Sequence, residues 1–146
     1  MRKVIQERSS ETDMEGHTFK IEGFFYKDKC FPGLNDMLHE ASRNPRAYAK
    51  MKKEYQMIAC NAARRGLKRY KAKGKVRLHY KFAEPSKGQL RDYSNIESAA
   101  IKIIEDALIA CGVIKDDGPA FVDPSEREFI YVSGTPYIEV TVTEIQ

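Results

Sequence analysis

Apolar residues at Ile96, Ala99, Ala100, Ile103, Ile104, Ala107, Leu108 and Cys111 recur at steps of three and four, which draws one continuous stripe along a helix. Ser94 followed three residues later by Glu97 is a capping-box pattern and makes Ser94 the expected helix cap, because each side chain can take a backbone N–H of the other. Gly112 follows the last apolar position and suits a left-handed C-terminal cap. The pattern predicts a core helix of about sixteen residues, roughly 24 Å long at 1.5 Å per residue. Asp92 stands just before its start and Asp116 and Asp117 just past its end. A straight helix holds those ends apart, so uniting them requires the chain to fold back.

The rest of the chain alternates or breaks in ways that place the other elements. A first strand is expected over 18–25, where TFKIEGFF is rich in β-formers, and 28–35 with Pro32 and Gly33 reads as a loop. Asn35 or Asp36 caps a short helix ending near Ser42; Asn44 and Pro45 break it, and a longer helix runs from near Arg46 to Gly66. Met51, Tyr55, Ile58 and Ala62 mark the inner face of that helix. Val76, Leu78, Tyr80 and Phe82 alternate with Arg77, His79 and Lys81, a half-buried strand. EPSKGQ is a loop, Phe129–Val132 a short strand, SGTP a turn, and Ile138, Val140 and Val142 the inward positions of a last strand. The expected fold class is α/β, or α+β: a small mixed sheet of about four strands with two main helices on one face. Residues 1–17 are polar and read as a flexible N-terminal arm, leaving 18–146 as a single domain.

Composition narrows the class without naming a function. At 146 residues, 42% hydrophobic and 32% charged, the chain has the make-up of a water-soluble globular domain. It has no run of membrane-spanning length and no apolar centre of a signal peptide near its start, so a cytoplasmic location is expected. Cys30, Cys60 and Cys111 are odd in number, far apart and without a CxxC, which argues against disulfide or thiolate-metal chemistry.

Charge changes the picture more than composition does. The net charge is only +4, yet from Arg43 to Lys81 the chain is almost uniformly basic, with Glu54 the single acid. Lys50, Lys52, Lys53, Arg64, Arg65, Lys68, Arg69, Lys71, Lys73 and Arg77 are the candidate phosphate contacts in this run, and nucleic acid is the expected counter-charge. His79 lies among the outward residues of the basic strand.

Beside a basic surface, gathered carboxylates are the usual means of holding Mg²⁺ or Mn²⁺ against a phosphodiester, since a hard cation takes oxygen ligands and stabilises charge on the phosphate. Asp92, Asp116 and Asp117 are the candidate ligands, with Glu97 and Asp106 as further donors from the helix.

The order RDYSN, then a helix ending in EDAL, then GVIKDD resembles the RusA family of Holliday junction resolvases, whose signature reads approximately R-D-x-D-N, D-A-L, G-V/I-x-x-D-D. The stretch FPGLNDMLHEASRNPRAYAKMKKEY is also similar to the P-S-L-N and A-K-M-K-K region of phage-type members, so the resemblance runs from about residue 18 to 145. It implies a homodimeric, Mg²⁺-dependent endonuclease that resolves four-way DNA junctions by paired nicks. It further implies Asp92 and Asp117 as catalytic aspartates, Asp116 as the less critical neighbour, Arg91 as a phosphate contact, and Lys102, four residues before Asp106, as the catalytic lysine. The chain departs from the signature at Ser94, where the second aspartate is expected. Two further readings share the basic face: a junction-binding recombination accessory protein without efficient cleavage, and an RNA-binding module.

Overall fold

In a computed structural model, which describes residues 16–145, seven elements follow in the order β1 (Gly16–Glu22), α1 (Leu34–Arg43), α2 (Pro45–Leu67), β2 (Val76–Pro85), α3 (Tyr93–Ala110), β3 (Glu126–Val132) and β4 (Tyr137–Glu144). The four strands form one mixed sheet in the order β1-β4-β2-β3. β4 is antiparallel to both β1 and β2, whereas β3 runs parallel to β2 at the sheet edge. A parallel pair needs a crossover, and α3 supplies it. The α+β class is as expected: α2 and α3 are the two main helices and α1 is the short one before the Asn44–Pro45 break.

Period-2 alternation selects the buried face of the sheet. Phe19 and Ile21 of β1, Val76, Leu78, Tyr80 and Phe82 of β2, and Ile138, Val140 and Val142 of β4 are all buried in one cluster with the helices. From α3 come Ile96, Ala99, Ala100, Ile103, Ile104, Ala107 and Leu108, the stripe expected from the sequence. Each buried Ile or Leu contributes roughly 1.5–3 kcal/mol over leaving it in water. Cys111, at the end of the stripe, is only half-buried, and the three thiols are free.

Boundaries moved where tertiary contacts override local signals. β1 ends at Glu22 instead of continuing to Phe25, and Phe24 is left exposed. Residues 16 and 17 of the expected arm belong to β1; its first fifteen residues lie outside the described ones. α1 starts at Leu34, and Asp36 accepts the backbone N–H of Gly33 at 2.8 Å. Asn44 ends α1 and caps α2, its side-chain oxygen accepting from Arg46 N at 2.9 Å with Pro45 in the first turn. β2 reaches Pro85 and β3 begins at Glu126 because the two are registered from His79 opposite Glu126 to Pro85 opposite Val132.

Gly66 does not end α2, which continues to Leu67. It lets the helix approach β1: a Cβ there would lie 2.5 Å from Phe19 Cβ. The left-handed cap falls instead on Lys68 (φ 50°) and continues in Arg69 (φ 73°). For residues with a Cβ this conformation costs about 1–2 kcal/mol each.

The start of α3 corrects the Ser94 cap. Asp92 occupies the cap position with extended backbone, so Ser94 lies within the first turn and its carbonyl accepts from Ser98 Oγ at 2.6 Å. Glu97 turns to Arg127 on β3 at 3.1 Å instead of back to the helix start. Arg91 sets this entry by bonding Glu84 and the Phe31 carbonyl, which fixes the chain one residue before the cap. Gly112 takes the expected left-handed conformation at the other end (φ 81°).

Candidate functional site

Beyond Gly112, burial of Val113 and Ile114 pulls the chain back along α3. The Asp117 N–H donates to Asp116 Oδ1 at 2.8 Å, a local turn that presents the Asp117 carboxylate to the helix. There Lys102 Nζ donates to Asp117 Oδ2 at 2.9 Å and stands 3.4 Å from Asp106 Oδ1, one helical turn on. Lys52 of α2 reaches Asp106 at 3.6 Å, which joins the centre to the basic helix. The hydrogen bond from Lys102 holds the Asp117 carboxyl below its ordinary value, and the same bond holds the Lys102 ammonium above its own.

This places three of the expected site residues, Lys102, Asp106 and Asp117, in one cluster with Asp116 adjoining. Asp92 is elsewhere. It sits exposed at the cap of α3 with no side-chain cap bond, 14 positions before Asp106, or roughly 21 Å along the axis. Asp92 and Asp106 therefore cannot ligate one ion, and Glu97 is tied to Arg127 between them. Among the described residues no group of three or more His, Cys, Asp or Glu side chains is arranged to hold a metal. The five carboxylates do not fit a single Mg²⁺ or Mn²⁺ site as they stand.

Arg91 changes role. Its guanidinium makes a two-pronged ion pair with Glu84 (3.0 and 2.8 Å), donates to the Phe31 carbonyl at 3.1 Å and stands 3.8 Å from Asp36. Its side chain is 10% exposed and that of Glu84 is 7% exposed. The expected phosphate contact is an internal strut, because burial demands that both charges be compensated within the fold. His79 is likewise drawn into the sheet's own charges, 3.0 Å from Glu128 and 3.5 Å from Glu126.

Two residues at this face, Arg127 and Glu105, were not singled out from the sequence. Arg127 bonds Glu97 and the Ser125 hydroxyl, and extending the alternation of Phe129 and Tyr131 back by one step would have marked it. Glu105 is half-buried three residues after Lys102, and burial, then the neighbouring Asp117, raises its carboxyl above the ordinary value. The fully buried Tyr80 hydroxyl has no hydrogen-bond partner among the described residues, and burial, then the Glu105 charge, pushes its pKa well up. Tyr93 stacks on Phe129 at 4.3 Å and keeps its other face open to solvent.

The basic run divides into paired and unpaired parts. Lys75 and Arg77 share Asp123 at 2.9 and 3.0 Å, and Lys81 meets Glu139 at 3.6 Å. Lys50, Lys53, Arg64, Arg65, Lys68, Arg69, Lys71 and Lys73 are exposed, and among the described residues no ion pair engages them. Tertiary folding thus leaves an exposed surface along α2 and its connector that is basic except for Glu54, with Lys52 at its boundary with the carboxylate cluster. Among the described residues no helix is long and apolar enough to cross a membrane. Against models of known families and against curated proteins, the chain finds no match.

Proposed function

We propose that this protein is a structure-specific endonuclease of the RusA type, acting on four-way DNA junctions. The reading rests on one observation above others: Lys102 and Asp117, fifteen positions apart and singled out by the resemblance, meet at 2.9 Å beside a cationic surface. An ammonium next to a phosphodiester stabilises the negative charge that develops as a P–O bond breaks. Lys102 serves that role once Asp117 is drawn away from it, and the α2 cations hold the flanking phosphates. Shape and phosphate contacts, more than base sequence, govern recognition. The protein acts as a homodimer, since two opposed nicks need two symmetric centres.

A second reading has its own observation. Glu97, Asp106 and Asp117 each face a cation, and Asp92 stands apart, which suits a protein that binds branched DNA without cutting it. Cleavage of a synthetic four-way junction with and without Mg²⁺ or Mn²⁺, beside Asp117→Asn, separates the two. Paired metal-dependent nicks that disappear in the variant support the nuclease. Tight binding with no nicking under either metal leaves the binding protein, and no preference for branched over linear DNA removes both.

A further inference from the structure

Where α2 ends, an open hollow of about 710 Å³ is lined by Arg64, Lys68, Arg69, Lys71 and Cys111. Four cations and no carboxylate line it. The segment that carries them is fixed: Lys68 N–H donates to the Arg64 carbonyl, Tyr70 N–H to Leu67, and Ala72 N–H to Val113 beyond α3. Tyr70 adds a hydroxyl bond to Glu144 at 2.7 Å and a stack on His17 at 3.7 Å, so this neighbouring carboxylate is engaged away from the hollow. Lys71 lies across the C-terminal turn of α3, its Nζ 3.7 Å from where a Cβ on Gly112 would stand.

Cations at helix C-termini also complement the exposed carbonyls there, and that accounts for Arg64 and Lys71. It does not account for Lys68 and Arg69. Both adopt left-handed backbone, where glycine would close the helix without strain and without charge. Strain that persists at a charged site points to a use for the charge.

We infer that this hollow is a phosphate seat that takes one backbone phosphate of a bound nucleic acid. Its position relative to the cutting centre rests on the function proposed above; the seat itself needs only a phosphate. Cys111 lies nine positions from Lys102, roughly 14 Å along α3.

Two measurements test the seat. Inorganic phosphate is titrated against the full chain at constant ionic strength, with chloride as the compensating salt, and backbone amides are followed by NMR. Saturable shifts confined to residues 64–72 and 111–113 are expected, and a short DNA duplex should displace the phosphate. Shifts that the duplex does not displace mark a free-phosphate site and overturn the nucleic-acid assignment; absence of localised shifts overturns the seat. The double variant Lys68→Gly with Arg69→Gly then separates charge from conformation. A phosphate seat predicts Tm unchanged or raised, duplex affinity lowered at least fivefold and a log–log salt slope shallower by about 1, for the one phosphate lost. Lowered Tm with unchanged affinity would leave these residues as a helix cap alone. A chain that nicks no junction removes the nuclease reading, whereas these binding results still decide the seat.

Discussion

The exposed face of α2 and the exposed face of α3 are both rich in charge, yet they treat it oppositely. At α3 the cations Lys102, Arg127 from β3 and Lys52 from α2 meet Asp117, Asp106 and Glu97 within the fold. Along α2 and its connector the cations from Lys50 to Lys73, apart from Lys52, have no ion-pair partner among the described residues. Charge balanced internally holds elements together, whereas unbalanced charge of one sign on a surface has its use in an external counter-charge. The comparison teaches that acidic and basic clusters in a sequence become sites only according to what folding sets opposite them.

The sharpest contrast comes from the buried extreme of internal pairing. Arg91→Ala leaves Glu84 buried without its partner and should cost about 3–5 kcal/mol of stability, measured by urea unfolding. An effect below 1 kcal/mol would return Arg91 to the surface set. At the other extreme, Lys53→Gln, Arg64→Gln and Arg65→Gln together should cost only about 1 kcal/mol, from the two cations lost at the end of α2. The same triple variant should weaken DNA binding and reduce the log–log salt slope by roughly 3, about 1 for each cation. A slope equal to the parent's would remove the α2 face from the interface.

Smaller effects test the balance on α3. Arg127→Ala frees Glu97 from a partly exposed pair and should cost about 1 kcal/mol or less, read as a modest fall in Tm. The pH dependences should then have opposite signs for Asp117 and Glu105. The Asp117 carboxyl is lowered in the fold, so its contribution is complete above the ordinary aspartate value and is lost as pH falls through the folded value. Asp117→Asn should therefore lower Tm slightly at pH 7, and by progressively less as the pH is taken below the ordinary aspartate value. Glu105 is raised, chiefly by burial, so its ionisation opposes folding above the unfolded value and that penalty fades on acidification. Glu105→Gln should raise Tm slightly at pH 7 and leave it unchanged at pH 3. Equal shifts of one sign would contradict the charge arrangement at this face.

Much of the architecture was legible in the residues because its signals are local. The α3 stripe, the Gly112 turn, the Asn44–Pro45 break and the alternation in β2 and β4 depend on neighbours one to four positions away, and each appears where expected. The candidate site was legible only in part. Lys102 and Asp106 share a helix face by spacing alone, but Asp117 joins them because Val113 and Ile114 are buried and turn the loop back. Ser94 had the local pattern of a cap and lost that position to Asp92 once Arg91 was anchored by Glu84 and Phe31.

The sequence by itself determined the core helix, the alternating strands and the one-signed basic segment, since helix and strand periods and net charge are properties of order along the chain. Only the tertiary structure decided which charges remain open. Arg91 and Glu84 are drawn inside, Glu97 is captured by Arg127 from β3, and Asp92 is held away from Asp106 by the length of α3. Partners between 7 and 60 positions apart are chosen by packing and strand register, and the energies that select them arise only when burial removes water from around the charges.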